Sequence, residues 1–151
     1  MTFPNLQLGE VEMTDDQELL YRQVHPSMVQ GDTPSNQVFD ANVSWPSSEA
    51  FRPGHQDAGC LSVVQGSKTT PKESYEHYVG DLGLASAGVW AVTVGEAQHV
   101  KRRVVDDAGL VAEVPYHAYV DFRDCSSPNQ MKKYSPKLRD AAKSRGPLYV
   151  P

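Results

Sequence analysis

Three groups of side chains in this 151-residue chain have types that could do chemistry. His55, Asp57 and Cys60 fall in one stretch rich in turn formers, and each can ligate a metal; however, H-x-D-x-x-C lacks a second paired set to complete four ligands, so no metal site is expected. Cys60 could instead act as a nucleophile served by His117 and Asp121, which share one face of an expected strand. Neither a nucleophile elbow nor a helix start marks Cys60, and an ordinary thiol is the plainer reading. Arg22, Ser62 and Glu96 form the third group: a guanidinium, a hydroxyl and a carboxylate on or at the ends of three separate apolar runs. The chain contains no Gly-rich phosphate loop, Walker-type lysine or HExxH.

The runs that must position these groups read as strands. Val89 to Val94 is continuously apolar and mostly β-branched, the pattern of a strand covered on both faces, with Gly95-Glu96 at its exit. Glu18 to Val24 reads as a second strand, stopped by His25-Pro26 because the residue before proline is pushed out of the helical region. Pro26 to Gln30 adds a helical turn. Cys60 to Gln65 places Leu61 and Val63 on one face and Ser62 and Val64 on the other. Tyr116 to Phe122 alternates in the same way, with Ala118 and Val120 opposed to His117 and Tyr119. Between Gly31 and Gly59 turn formers dominate, and short strands are expected near Gln37 to Phe39 and Glu49 to Phe51, since so long a bare loop is unusual. Val104-Val105 and Leu110 to Val114 flank a hairpin turn expected at Asp107 to Gly109.

The helices are marked by their starts. Thr70, Pro71 and Glu73 spell a capping box, followed by Tyr75, Tyr78, Val79 and Leu82 at the spacing of one buried face, with Gly83 as the stop. Ser127, Pro128 and Gln130 repeat that logic for a short helix. Ser135 opens another, which runs to about Arg145 and ends at Gly146-Pro147. The expected fold is therefore α+β: a mixed, mostly antiparallel sheet of about five strands, with the capped helix just before a central Val89 strand and short C-terminal helices against it. Residues 1–16 read as an extended acidic arm and 17–151 as a single domain.

Charge is uneven along the chain. The net charge is −5, so no general positive field exists to draw nucleic acid, which is not an expected partner. Glu10, Glu12, Asp15, Asp16 and Glu18 occupy the first 18 residues without a Lys or Arg, whereas Lys101, Arg102, Arg103, Lys132 and Lys133 form two basic clusters suited to a protein partner. No apolar stretch approaches the ~18 residues of a membrane span, and the N-terminus has neither a basic leader nor an apolar core, so a cytoplasmic location is the default.

The chain order Arg22, Ser62, Glu96 over strands resembles arginine-specific ADP-ribosyltransferase-like domains. That resemblance implies NAD as cofactor, with Arg22 holding a phosphate, Ser62 positioning the ribose and Glu96 stabilising charge at the glycosidic carbon. The STS and ExE patterns of the family are absent here, since Val94 stands two before Glu96. The plainer reading gives Arg22 a structural ion pair, Ser62 a place in a strand ladder and Glu96 a solvated strand end. Leu19 to Pro26 (LLYRQVHP), Ser48 to Pro53 (SEAFRP), Leu61 to Val63 and Leu84 to Glu96 also resemble blocks shared by a group of small uncharacterised bacterial proteins. Against that pattern Val29 to Pro46 reads as an insertion, and the polar residues the resemblance implies near the strand ends are Arg22, His25, Asp57, Ser62 and Glu96. No activity attaches to that group. The expected function is a small intracellular binding or accessory protein acting through a protein partner, with NAD-dependent transfer or NAD hydrolysis as the alternative.

Overall fold

A computed structural model describes residues 2–30 and 45–151. The strand expected at Gln37 to Phe39 lies outside the described residues. Strand β1 is Val11–Glu12, β2 Leu19–Gln23, β3 Val29–Gln30, β4 Trp45–Pro46, β5 Cys60–Gln65, β6 Val89–Thr93, β7 Arg103–Asp106 and β8 His117–Asp121. Helix α1 is Pro71–Glu76, α2 Val94–His99, α3 Pro128–Met131 and α4 Ser135–Arg145. The α+β expectation holds. Six strands form one sheet in the order β1-β7-β8-β5-β2-β6, every pairing antiparallel, and β3 pairs with β4 beside it.

Alternation along the strands gives the sheet two different faces. Leu20, Leu61, Val63, Trp90, Val92, Val104, Ala118, Val120 and Phe122 form the main core, together with Phe51, Leu138 and Ala142. Helices α2 and α4 and the 3-10 turn Ser48–Phe51 supply that cover. Each fully buried Leu or Phe in this layer contributes roughly 1.5–3 kcal/mol relative to staying in water. On the opposite face Tyr21, Val89 and Ala91 pack with Leu19, Val64, Tyr75, Leu148 and Tyr149.

The Val89 strand is covered on both faces, with Val89, Trp90, Ala91 and Val92 all buried, yet it lies at the sheet's edge and not at its centre. Its outer side is closed by the C-terminal segment. Val89 N–H donates to the Tyr149 carbonyl at 2.9 Å, Leu148 N–H donates to the Val89 carbonyl at 2.8 Å, and the Arg145 guanidinium donates to the Ala91 carbonyl at 2.9 Å. A covered edge offers no free ladder to another chain, which explains how an edge strand carries a central strand's composition.

Other expectations shift for local reasons. Glu49 to Phe51 is part of a 3-10 turn, not a strand. Gly95 to His99 is helical: Thr93 caps α2 by accepting from Glu96 N–H, and the Glu96 carboxylate accepts from Thr93 N–H. The tight hairpin at Asp107 to Gly109 is instead a loop over residues 107–116, and Leu110 to Val114 forms no strand. Thr70 caps α1 as read, but beyond Glu76 the helix widens into a π turn, His77–Asp81, before Gly83 ends it at φ +69°. The acidic arm contributes β1, which pairs with β7, while the Pro4 carbonyl accepts from Arg103 and the Glu10 carboxylate from the Tyr119 hydroxyl. Among the described residues no helix is long and apolar enough to cross a membrane.

Candidate functional site

Arg22 sits between Leu20 and Val24 on the core face of β2, opposite Trp90. A guanidinium cannot stay among those apolar groups unpaired. Its Nε donates to the Ala50 carbonyl at 2.8 Å and Nη1 to the Ser62 carbonyl at 3.1 Å, tying the Ser48–Phe51 turn to β5. Burial pulls the guanidinium down from the ordinary arginine range, with the nearby Tyr78 and Asp57 opposing that shift. Nη2 donates to no described residue and is not sealed from solvent.

That free end opens into a cleft of about 430 Å³ lined by Arg22, His25, Asp57, Ser62, Tyr78 and His117. The volume is within the range of ligand sites, about 300–1,000 Å³. Leu82, Leu84 and Val114 supply apolar walls. A neighbouring cavity of about 240 Å³ shares Val64, Tyr78, Leu82 and Val114 with it, so the space continues beneath the π turn. Turns of this type recur at functional sites. Here one carries Tyr78 to the cleft, and His77 ties it down by lying 2.8 Å from the Asp81 carboxylate and 2.9 Å from the Glu113 carbonyl.

Hydrogen bonding fixes what each ring presents. His25 Nδ1 accepts from Ser27 N–H at 3.0 Å, which leaves the neutral ring's proton on Nε2 as a donor. His117 Nδ1 lies 2.6 Å from Asp107 Oδ1, so Nδ1 donates to that carboxylate and, in the neutral ring, Nε2 is left as an acceptor. Asp57 Oδ2 accepts from Gly54 N–H at 2.7 Å, and its second oxygen is free of described partners. Ser62 is exposed, and neither its hydroxyl nor that of Tyr78 bonds a described residue. The cleft thus collects donors from Arg22, Ser62, Tyr78 and His25, and acceptors from Asp57 and His117.

Polar groups elsewhere on the sheet face that carries Ser62 and His117 are closed upon themselves. Asp121, fully buried, accepts from Arg103 at 2.7 Å and from Arg123 at 2.9 Å, and Arg123 also donates to the Tyr119 hydroxyl at 2.9 Å. These residues hold the sheet together.

Of the residues singled out from sequence, Arg22, His25, Asp57 and Ser62 meet in the cleft. Glu96 does not. It lines a separate cavity of about 510 Å³ with Asp16, His99 and Lys137, where its carboxylate is engaged by Arg145 and by Thr93 N–H. Burial alone would raise the Glu96 carboxyl, but the hydrogen bonds from Arg145 and Thr93 outweigh it and hold the group below the ordinary range. Among the described residues the cleft that holds Arg22 and Ser62 is not lined by Glu96.

The basic clusters divide as well. Lys101, Lys132 and Lys133 are exposed. Arg102 is buried: it bridges Asp124 at 2.6 Å and lies over the Tyr134 ring at 3.9 Å from the centroid. Arg103 is committed to Asp121 and the Pro4 carbonyl. Neither arginine is available to an outside partner. Cys60 faces Asp121 across the ladder, and burial pushes its thiol up to about 11, which leaves little thiolate at neutral pH; His117 is engaged by Asp107 and not Asp121. Among the described residues no three His, Cys, Asp or Glu side chains gather as a metal site would require.

The chain matches no protein family, no curated protein and no solved structure. One cleft member, Tyr78, and the residue that engages His117, Asp107, escaped the sequence reading. Tyr78 has the spacing of a core residue, and only the π turn moves it to the cleft wall. The partner of His117 comes from the loop that replaces the expected hairpin, so no local spacing announces it.

Proposed function

We propose that this protein is a small accessory component of a multi-component bacterial system, one that binds without transforming, and that it holds its protein partner at the Arg22 cleft. The observation that carries this reading is the contrast in polar pairing. Buried and half-buried polar groups in folded chains are nearly always satisfied internally, as the Asp121 carboxylate is by Arg103 and Arg123. The cleft instead gathers Arg22 Nη2, the half-buried Tyr78 hydroxyl, the exposed Ser62 hydroxyl and His117 Nε2 from separate elements, none with a described protein partner. Solvent-accessible polar groups without a protein partner, gathered on a cleft with apolar walls, fit recognition of an outside molecule. The plain thiol of Cys60 and the engaged carboxylate of Glu96 favour binding over catalysis. Exposed Lys132 and Lys133 extend the contact surface the partner reading calls for.

The test compares tagged wild-type protein with a Ser62→Ala, Tyr78→Phe double variant in pull-downs from native cells. Neither change touches the backbone carbonyl that Arg22 uses. The wild type should recover a stoichiometric protein partner and the double variant should lose it, while Lys132→Ala weakens recovery only slightly. Equal recovery by the double variant would remove the cleft from the interface, and turnover of a small molecule by the purified protein would replace binding with catalysis.

A further inference from the structure

We infer that strand β1, the open edge of the sheet, takes up an extended segment of a protein partner in which basic and apolar residues alternate. This contact shares no residue with the lining of the Arg22 cleft and goes beyond the reading of that cleft. The two edges of the sheet differ. Strand β6 is closed by the Leu148–Tyr149 segment, whereas β1 is paired with β7 alone among the described residues. Residues of an antiparallel ladder bond alternately inward and outward. Met13 N–H donates to the Val104 carbonyl at 2.9 Å, so Glu12, which stands opposite Val105, turns both its N–H and its carbonyl away from β7. Neither meets a described partner. Such an outward N–H and carbonyl are the template to which an extended chain adds.

The side chains select the guest. Glu10 reaches the Tyr119 hydroxyl and Glu12 stands opposite Val105, the partner of Tyr119, so the two glutamates share one face and Val11 takes the other. Among the described residues Glu10, Glu12, Asp15 and Asp16 form no ion pair, and Arg103, the cation of β7, is committed to Asp121 and the Pro4 carbonyl. Val11 is 63% exposed and Leu8 98%, and Gly9 between them lies against the exposed Leu110. An incoming strand with Lys or Arg opposite the glutamates and apolar residues opposite Val11 gains favourable cross-strand pairs on both faces. A second copy of this chain does not fit, because antiparallel pairing of β1 with itself sets glutamate against glutamate. The shortness and charge of β1 thus guard against self-pairing and leave it open to a basic strand.

The probes are the acetylated and amidated peptide Lys-Val-Lys-Val-Lys-Val-Lys, the same peptide with Glu in place of Lys, and the basic peptide N-methylated at every lysine. Each is titrated into the ¹⁵N-labelled full chain and followed by amide chemical shifts. The basic peptide should shift Val11, Glu12, Met13 and Asp106 saturably and bind roughly tenfold more tightly than the acidic one, the scale of a few like-charge pairs turned into opposite ones. N-methylation keeps the charge but removes the donors that reach the Glu12 carbonyl, and should weaken binding about three- to tenfold, the scale of a hydrogen bond. Glu12→Lys changes an exposed side chain and should lose most of the preference for the basic peptide, with an unchanged spectrum beyond β1 and β7. Equal binding of the acidic and basic peptides, an N-methylated peptide as good as its parent, no saturable shift at β1, or shifts there that grow with the concentration of the protein alone would each overturn the inference. Peptide binding at β1 together with equal partner recovery by the Ser62→Ala, Tyr78→Phe variant keeps this contact and discards the cleft. Cleft-dependent recovery without peptide binding at β1 does the reverse.

Discussion

The Arg145 guanidinium grips both oxygens of Glu96, each at 2.9 Å, and so joins the first turn of α2 to the last turn of α4. The Glu96 and Arg145 side chains are 33% and 26% exposed, so solvent screens the pair and its worth is about 0.5–1 kcal/mol. Glu96→Gln keeps an oxygen for Thr93 N–H and should lose only that amount, whereas Glu96→Ala also removes the cap acceptor and should cost about 1–2 kcal/mol. The folded-state carboxyl lies below its ordinary range, so its contribution is present above that range and lost as pH falls through the folded value. Urea titrations of wild type and Glu96→Gln should therefore converge in acid. A gap that persists unchanged at low pH would show that the ion pair is not its source.

Asp121 is the more costly carboxylate to remove. Its side chain is 0% exposed and lies between Arg103 and Arg123. Burial alone would raise it, but the hydrogen bonds from Arg123 and Arg103 prevail and hold it below the ordinary range. Asp121→Asn leaves two cations without their counter-charge and should destabilise by about 3–5 kcal/mol, the range for breaking a buried pair from one side. The sign with pH matches that of Glu96: the wild type loses this contribution on acidification, and the variant, which lacks the titrating group, has a flatter stability profile. Denaturation at neutral and acid pH measures both. A cost under about 1 kcal/mol would mean that the cluster contributes specificity and little stability.

What the sequence made legible was the part of the fold that local chemistry decides. The alternation in Cys60–Gln65 and His117–Asp121 assigned faces that the register reproduces, and Thr70, Ser127 and Gly146 sit at helix boundaries as read. Thr93-Val94-Gly95-Glu96 carries the same S/T-x-x-E signature, but the apolar run before it favoured a strand carried through Val94. Strand order was not legible, because an edge strand closed by Tyr149 has the same composition as a central one. The site divided along the same line. Arg22 and Ser62 stand within strands that alternation located, and His25 and Asp57 in the turns beside them, whereas Glu96 left the group through a long-range pairing with Arg145 that no local spacing encodes.

Cys60 should react slowly. With its thiol pushed up to about 11, against 9.0 for an unperturbed one, the thiolate population near neutral pH is lower by roughly a hundredfold. Alkylation by iodoacetamide in the native protein should run roughly a hundredfold behind free cysteine, rise about tenfold per pH unit until near that value, and recover in urea. Fast native alkylation at neutral pH would instead reveal an activated thiol and reopen the nucleophile reading. Cys125, also raised by burial, is separated from Cys60 by measuring Cys60→Ser in parallel.

Gly88 controls the edge of the sheet. It has φ +146°, and a Cβ there would lie 2.6 Å from the Tyr149 carbonyl oxygen and 3.1 Å from the Trp90 ring. The first is a backbone atom, which cannot swing aside like a side-chain end, and the dihedral itself is one that residues with a Cβ rarely adopt. Gly88→Ala should therefore push the Leu148–Tyr149 segment off β6, break the bond from Val89 N–H to Tyr149, and cost about 2 kcal/mol or more. Hydrogen exchange at the Val89 amide reads the local opening directly. Because the uncovered edge would present free N–H and C=O groups, the variant should also self-associate with rising concentration in analytical ultracentrifugation. Retained Val89 protection with unchanged sedimentation would show that the C-terminal segment does not seal this edge, and that the burial of β6 must come from its two faces alone.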